Sequence, residues 1–108
     1  MSDQEDTTRD EIGALVTWFE SDIIYDAHSF AIRFERSLAQ KTLRRLGQEA
    51  LTPIIAHLRE HPPTGTNLNL AWGHLLERIE RDIDPEGKGP QQLTDTEGWL
   101  TWASRFAT

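Results

Sequence analysis

Two short stretches of the chain carry residue types whose spacing could do chemistry. The first is "DIDPEGKGPQQL", residues 82–93. Asp82, Asp84 and Glu86 fall where an EF-hand loop places its first, third and fifth oxygen ligands, and Gly87 falls at the tight turn. The twelfth position of such a loop supplies a bidentate carboxylate, and here it is Leu93. Asp95 and Glu97 stand nearby, but both suit the start of the following helix, where acids meet the positive end of the dipole. Asp82, Asp84 and Glu86 are therefore weak metal candidates, and residues 82–93 read first as a helix connection. Calcium binding by this loop stays as an alternative.

The second stretch is "HLREH", His57 to His61, which has the H-x-x-E-H form of a zinc protease helix. It stands immediately before Pro62 and Pro63, and no downstream Glu offers itself as a ligand on a further helix. His61 falls near the rim of an apolar stripe and His57 outside it, as surface histidines do. Neither G-x-S-x-G, a P-loop nor G-x-G-x-x-G occurs. The chain is read as a non-enzyme without a cofactor.

The elements that would position these residues are all helices. Thr8 and Glu11 have capping-box spacing, and Ile12, Leu15, Val16, Phe19 and Ile23 then form one apolar stripe. Trp18 and Tyr25 lie together off that stripe, either covering a neighbouring helix or facing a partner. In "DAHSFAIRFERSLAQKTLRRLG", Ala27, Phe30, Ala31, Phe34 and Leu38 share a face, whereas Ala39, Leu43 and Leu46 share another. One straight helix cannot bury both, so a break is expected between Ser37 and Gln40. Gly47 suits a left-handed helix stop. Thr52 as N-cap with Pro53 at the first helical position predicts another start. Leu68, Trp72, Leu75, Leu76, Ile79 and Ile83 form a stripe over 67–83. Thr94 and Glu97 repeat the capping box before Trp99, Trp102, Ala103 and Phe106, and Trp72, Trp99, Trp102 and Phe106 are expected to fill one core. No segment alternates as a strand does.

Charge and composition bound the function. The 108 residues carry a net charge of −7. Residues 1–26 hold eight acidic side chains against one basic, while residues 27–61 hold six basic against three acidic. The overall sign disfavours direct binding to nucleic acid. Arg33, Arg36 and Arg44 lie in the basic segment and are candidates to face a partner. No cysteine is present, which excludes a disulfide scaffold and fits a reducing cytoplasm. The opening "MSDQEDTTRDE" does not read as a signal peptide, and no apolar run approaches the roughly 18 residues of a membrane span.

Three segments together resemble a known family. They are "LRRLGQEALTPIIAHLREHPP", "NLAWGHLLERI" with its glycine-ended loop, and "GWLTWASRF". They are similar to small, uncharacterised bacterial proteins of HEAT-like helical-hairpin architecture, often associated with mobile elements. The resemblance covers roughly residues 38–106. It rests on Leu46-Gly47, Ala50, Pro53 and Ile54, Trp72, Pro85 and Gly89, and Trp99-Leu100 with Trp102. It implies a fold and no catalytic residue.

The expected architecture is all-α. A disordered acidic arm over 1–7 precedes a single domain over 8–108, with five or six antiparallel helices in HEAT-like hairpins plus an extra N-terminal helix. The expected function is a protein-interaction module whose partner contacts are Trp18, Tyr25, Arg33, Arg36 and Arg44. A protein partner is expected, a homo-oligomer is compatible with the sequence, and membrane contact is not expected. The alternative from another class is an acidic inhibitor that mimics nucleic acid or blocks a basic site, motivated by the N-terminal acids and "ERIERDIDPE".

Overall fold

A computed structural model describes the backbone of residues 2–25 and 28–107, and side chains from Asp10 onward within those ranges. The described residues form six helices and no strand. The first, α1 (Ser2–Tyr25), runs from Ser2 over the stretch expected as a disordered arm, so Thr8 lies inside it and not at its cap. No glycine or proline interrupts the chain before Gly13. The side chain of Thr8, like all those of residues 1–9, lies outside the described residues. Further along α1 the stripe behaves as its spacing demands: Ile12, Val16, Phe19 and Ile23 are buried and Leu15 flanks them.

The break expected after the second stripe occurs at Ser37, between α2 (Phe30–Arg36) and α3 (Leu38–Leu46). It is a built corner. Ser37 Oγ accepts from the Gln40 backbone N–H at 3.1 Å, and Gln40 Nε2 donates to the Phe34 carbonyl at 3.1 Å. Both polar side chains are buried, and each satisfies a backbone group that the broken helix leaves open. The corner also turns Leu38 away from the stripe it shares in sequence with Phe34, leaving it exposed where burial was expected. Ala31 is exposed as well, and Ala27 lies outside the described residues.

Two expected starts are displaced. Helix α4 (Gln48–Glu60) begins right after Gly47, which has φ +59°, and Pro53 lies inside it. Thr52 is therefore not an N-cap. Pro53 is the sixth residue of α4, so its missing N–H and its ring fall against the carbonyl of Glu49, an exposed residue of the first turn. Helix α5 (Thr66–Ile83) matches its stripe closely. Helix α6 (Thr96–Phe106) is capped by Asp95, whose Oδ1 accepts the Gly98 N–H at 3.0 Å, and not by Thr94. The neighbouring Thr96 hydroxyl donates to Asn69 Oδ1 at 2.7 Å and ties α6 to α5, which sets the start one residue later than the capping box suggested.

Helix α1 is the central element: α2, α3, α4 and α5 all pack on it, and α6 closes the far side against α4 and α5. The consecutive helices α3 and α4, and α5 and α6, also pack together. Phe19 of α1 anchors the middle, edge-on to Trp72 with ring centroids 4.8 Å apart and to Phe34 at 5.9 Å. Trp99, Trp102 and Phe106 continue the core along α6 at centroid spacings of 5.7 and 5.2 Å. The three tryptophans are buried and Phe106 is partly so, all within one apolar cluster. Among the described residues, no helix is long and apolar enough to cross a membrane.

Candidate functional site

The loop that tempts a calcium reading is held by protein donors. Asp84 is buried beneath it. One of its carboxylate oxygens accepts the Lys88 backbone N–H at 3.0 Å and the Trp102 indole N–H at 2.9 Å, and the other accepts the Glu86 N–H at 3.0 Å. Those donors, the Lys88 amide first and the indole next, hold its carboxyl below the usual carboxylate range against the opposing effect of burial. Asp82 points elsewhere. Its carboxylate takes the Arg44 fork at 3.0 and 3.1 Å, and the hydrogen-bonded guanidinium lowers its pKa. Glu86 faces Lys88 at 3.5 Å. The three candidate ligands do not converge, and among the described residues no group of three His, Cys, Asp or Glu could hold a metal ion.

The "HLREH" histidines are placed the other way round from expectation. His57 is the half-buried one: its Nε2 lies 3.0 Å from Glu20 Oε1 and makes no hydrogen bond. The other Glu20 oxygen accepts the Trp72 indole N–H at 2.9 Å, so Glu20 links α1, α4 and α5. His61 is exposed. Helical register places Glu20 beside the stripe of α1, and His57 lies against it, a neighbour that the α4 stripe alone could not indicate.

The three arginines of the basic segment have separate roles. The Arg44 donors are engaged by Asp82. Arg36 is exposed and its guanidinium lies 3.1 Å from a ring nitrogen of the exposed His28. Arg33 is half-buried and donates from one terminal nitrogen to the Ile23 carbonyl near the end of α1. Its Nε is buried without a hydrogen-bond partner.

Trp18 and Tyr25 are both exposed to solvent. Trp18 is 49% exposed and Tyr25 81%, and they are joined by Ile24 at 50%, Ile32 at 45% and Leu38 at 60%. All the exposed large apolar side chains among the described residues thus fall within residues 18–38. Ile24 and Ile32 escaped the sequence reading. Their signal was adjacency: in "DIIY" a helix buries one isoleucine and must present the other, and Ile32 sits off the Phe30–Phe34 stripe in the same way.

An open cleft of about 470 Å³ adjoins this face. Its walls are Ile23 and Ile24 of α1, Arg33 of α2, and Gly65, Asn67 and Leu68 at the start of α5. Gly65 precedes the helix in a left-handed conformation, and no side chain caps α5. The sequence matches no family model, no curated protein and no solved structure.

Proposed function

We propose that this protein is a non-enzymatic interaction module that docks a protein partner on the face spanning residues 18–38. One observation carries the reading: in a chain of net charge −7, the five large apolar side chains exposed among the described residues all fall in one stretch of 21 residues. Exposed apolar residues scattered singly need no explanation, but a concentration on one region marks contact with another molecule. Trp18 and Tyr25 have the type most often found as anchors in such contacts, with large apolar area at low entropic cost. Arg36 is exposed in the same stretch of chain, and Arg33 lines the adjoining cleft. Arg44 is left out of the set because Asp82 already occupies its fork.

The likeness to HEAT-like bacterial proteins belongs to the same proposal, since helical surfaces of that kind bind extended partners. It would place the module in the cytoplasm, where a chain without cysteine is at no disadvantage. The acidic-mimic reading gains less support. Four of the five carboxylates of "ERIERDIDPE" are engaged within the chain: Glu77 with Arg81, Glu80 with the Gly89 amide, Asp82 with Arg44 and Asp84 with the loop.

The test replaces Trp18 and Tyr25 with serine and compares capture by the tagged wild-type and variant proteins from the native lysate. Docking requires a partner that the wild type retains at high salt and the folded variant loses. Identical capture by both would overturn the reading, and a partner held by both only at low salt would favour the acidic mimic.

A further inference from the structure

We infer that the partner for the 18–38 face is a second copy of this chain, with the outward row of α3 in one copy seated antiparallel on the outward row of α1 in the other. The inference rests on the docking reading and names the occupant of that face.

Position and exposure define the two rows. On α1, Trp18, Asp22 and Tyr25 stand four and then three residues apart, within about 60° of one another around the helix. Trp18 and Tyr25 are exposed, and Asp22 between them is half-buried. On α3, Arg45, Lys41 and Leu38 taken in reverse have the same spacing, four and then three, and all are exposed. Laid antiparallel, the rows set Arg45 against the Trp18 ring, Lys41 against Asp22 and Leu38 against Tyr25, along about 10 Å of helix. A guanidinium on an indole, an ammonium beside a carboxylate and an aliphatic side chain on an aromatic ring are each favourable pairs. The parallel order loses this register, because four-then-three meets three-then-four.

Charge supports the same pairing. Helix α3 holds three basic side chains and no acidic one, while residues 1–26 hold eight acidic against one basic. Asp22, Lys41 and Arg45 make no ion pair with a described residue. Lys41 acts on the Glu35 carboxylate only at a distance, since Arg78 holds that group. Helices α1 and α3 pack on each other by their buried sides, so one chain cannot pair its own outward rows. An exposed ion pair contributes little alone; the apolar and cation–ring contacts supply the attraction, and the charges set register and direction. The contact joins two different surfaces, so each pair of copies keeps one row of each kind free for further copies.

The test is sedimentation equilibrium of the full chain at low salt, over a concentration series reaching about 1 mM. The wild type should rise above the mass of one chain and continue past two. Asp22→Lys and Lys41→Asp each set like charges opposite one another, and each should weaken association roughly tenfold or more at unchanged melting temperature. An equimolar mixture of the two brings together one intact α1 row and one intact α3 row, so it should form a two-chain species and stop there. Trp18→Ser/Tyr25→Ser breaks the α1 row without adding charge, and should behave as Asp22→Lys does, alone and when mixed with Lys41→Asp. A wild type that keeps the mass of one chain throughout, single variants that associate as it does, or folded variants whose mixtures recover nothing would each overturn the inference. If Trp18→Ser/Tyr25→Ser still loses its lysate partner in that event, the docking face stands with a different protein on it. If capture is unchanged too, both fail.

Discussion

The Asp84 carboxylate accepts two backbone amides and one indole N–H, a set of donors that a cation would have to displace. Calcium at millimolar concentration should therefore leave the melting temperature unchanged, and a rise with calcium would contradict the loop assignment. The same contacts make a pH prediction. Asp84, Asp82 and Glu35 are all held below the ordinary carboxylate range, each by hydrogen bonds to its charged form. A carboxyl depressed in the fold stabilises it at every pH above the unfolded value of about 4, and that contribution fades as pH falls through the folded value. Melting temperature should be level near neutrality and drop below about pH 4. Asp84→Asn should lower it at neutral pH, because the amide turns a donor toward donors, and should make the acid drop shallower. An acid profile unchanged by Asp84→Asn would show that this carboxylate is not held as described. The motif that suggested calcium was legible in sequence, but the partner that redefines it, Trp102, lies 18 residues away and is set by packing.

At the scale of elements, the stripes of α1 and α5 and the break at Ser37 were legible because period and mismatch of period are properties of the sequence itself. The starts of α4 and α6 were not, since they depend on where the preceding turn delivers the chain. Gly73 illustrates a constraint that no local pattern carries. It is buried in the middle of α5, where alanine would ordinarily be the better helix former by about 1 kcal/mol. A Cβ there would lie 1.9 Å from the Leu93 carbonyl oxygen, backbone of the crossing loop that leads to α6. Gly73→Ala should therefore destabilise the protein, by roughly 1–3 kcal/mol as overpacking does. Chemical denaturation measures this directly. An unchanged or raised midpoint would mean that loop and helix do not meet so closely.

For the whole molecule, α1 is the hub, at 24 residues about 36 Å long against a longest extent of 42 Å. Its buried Ile12, Val16, Phe19 and Ile23 contribute roughly 6–12 kcal/mol together, comparable with the whole stability of about 5–15 kcal/mol expected of a domain. A chain truncated to residues 28–108 should lose cooperative unfolding, and a sharp melting transition in it would show that α1 is dispensable. The outward side of that same helix carries Trp18, Ile24 and Tyr25, so one element both anchors the core and presents the proposed docking face. The exposure of this face was half legible: helical phase set Trp18 and Tyr25 apart from the stripe, but whether another helix covers them is decided by packing alone. The cleft was not legible, because it joins residues 23–33 to residues 64–68 across the fold.

The claim that the 18–38 face serves a partner and not the fold is tested most directly by one paired measurement on Trp18→Ser/Tyr25→Ser: thermal unfolding alongside capture at high salt. The structure predicts a stability change below about 1 kcal/mol for the pair, as for exposed substitutions, together with loss of the captured partner. A variant that unfolds would show the two aromatics to be part of the core, and one that melts normally while capturing the same proteins would show the face to be unused.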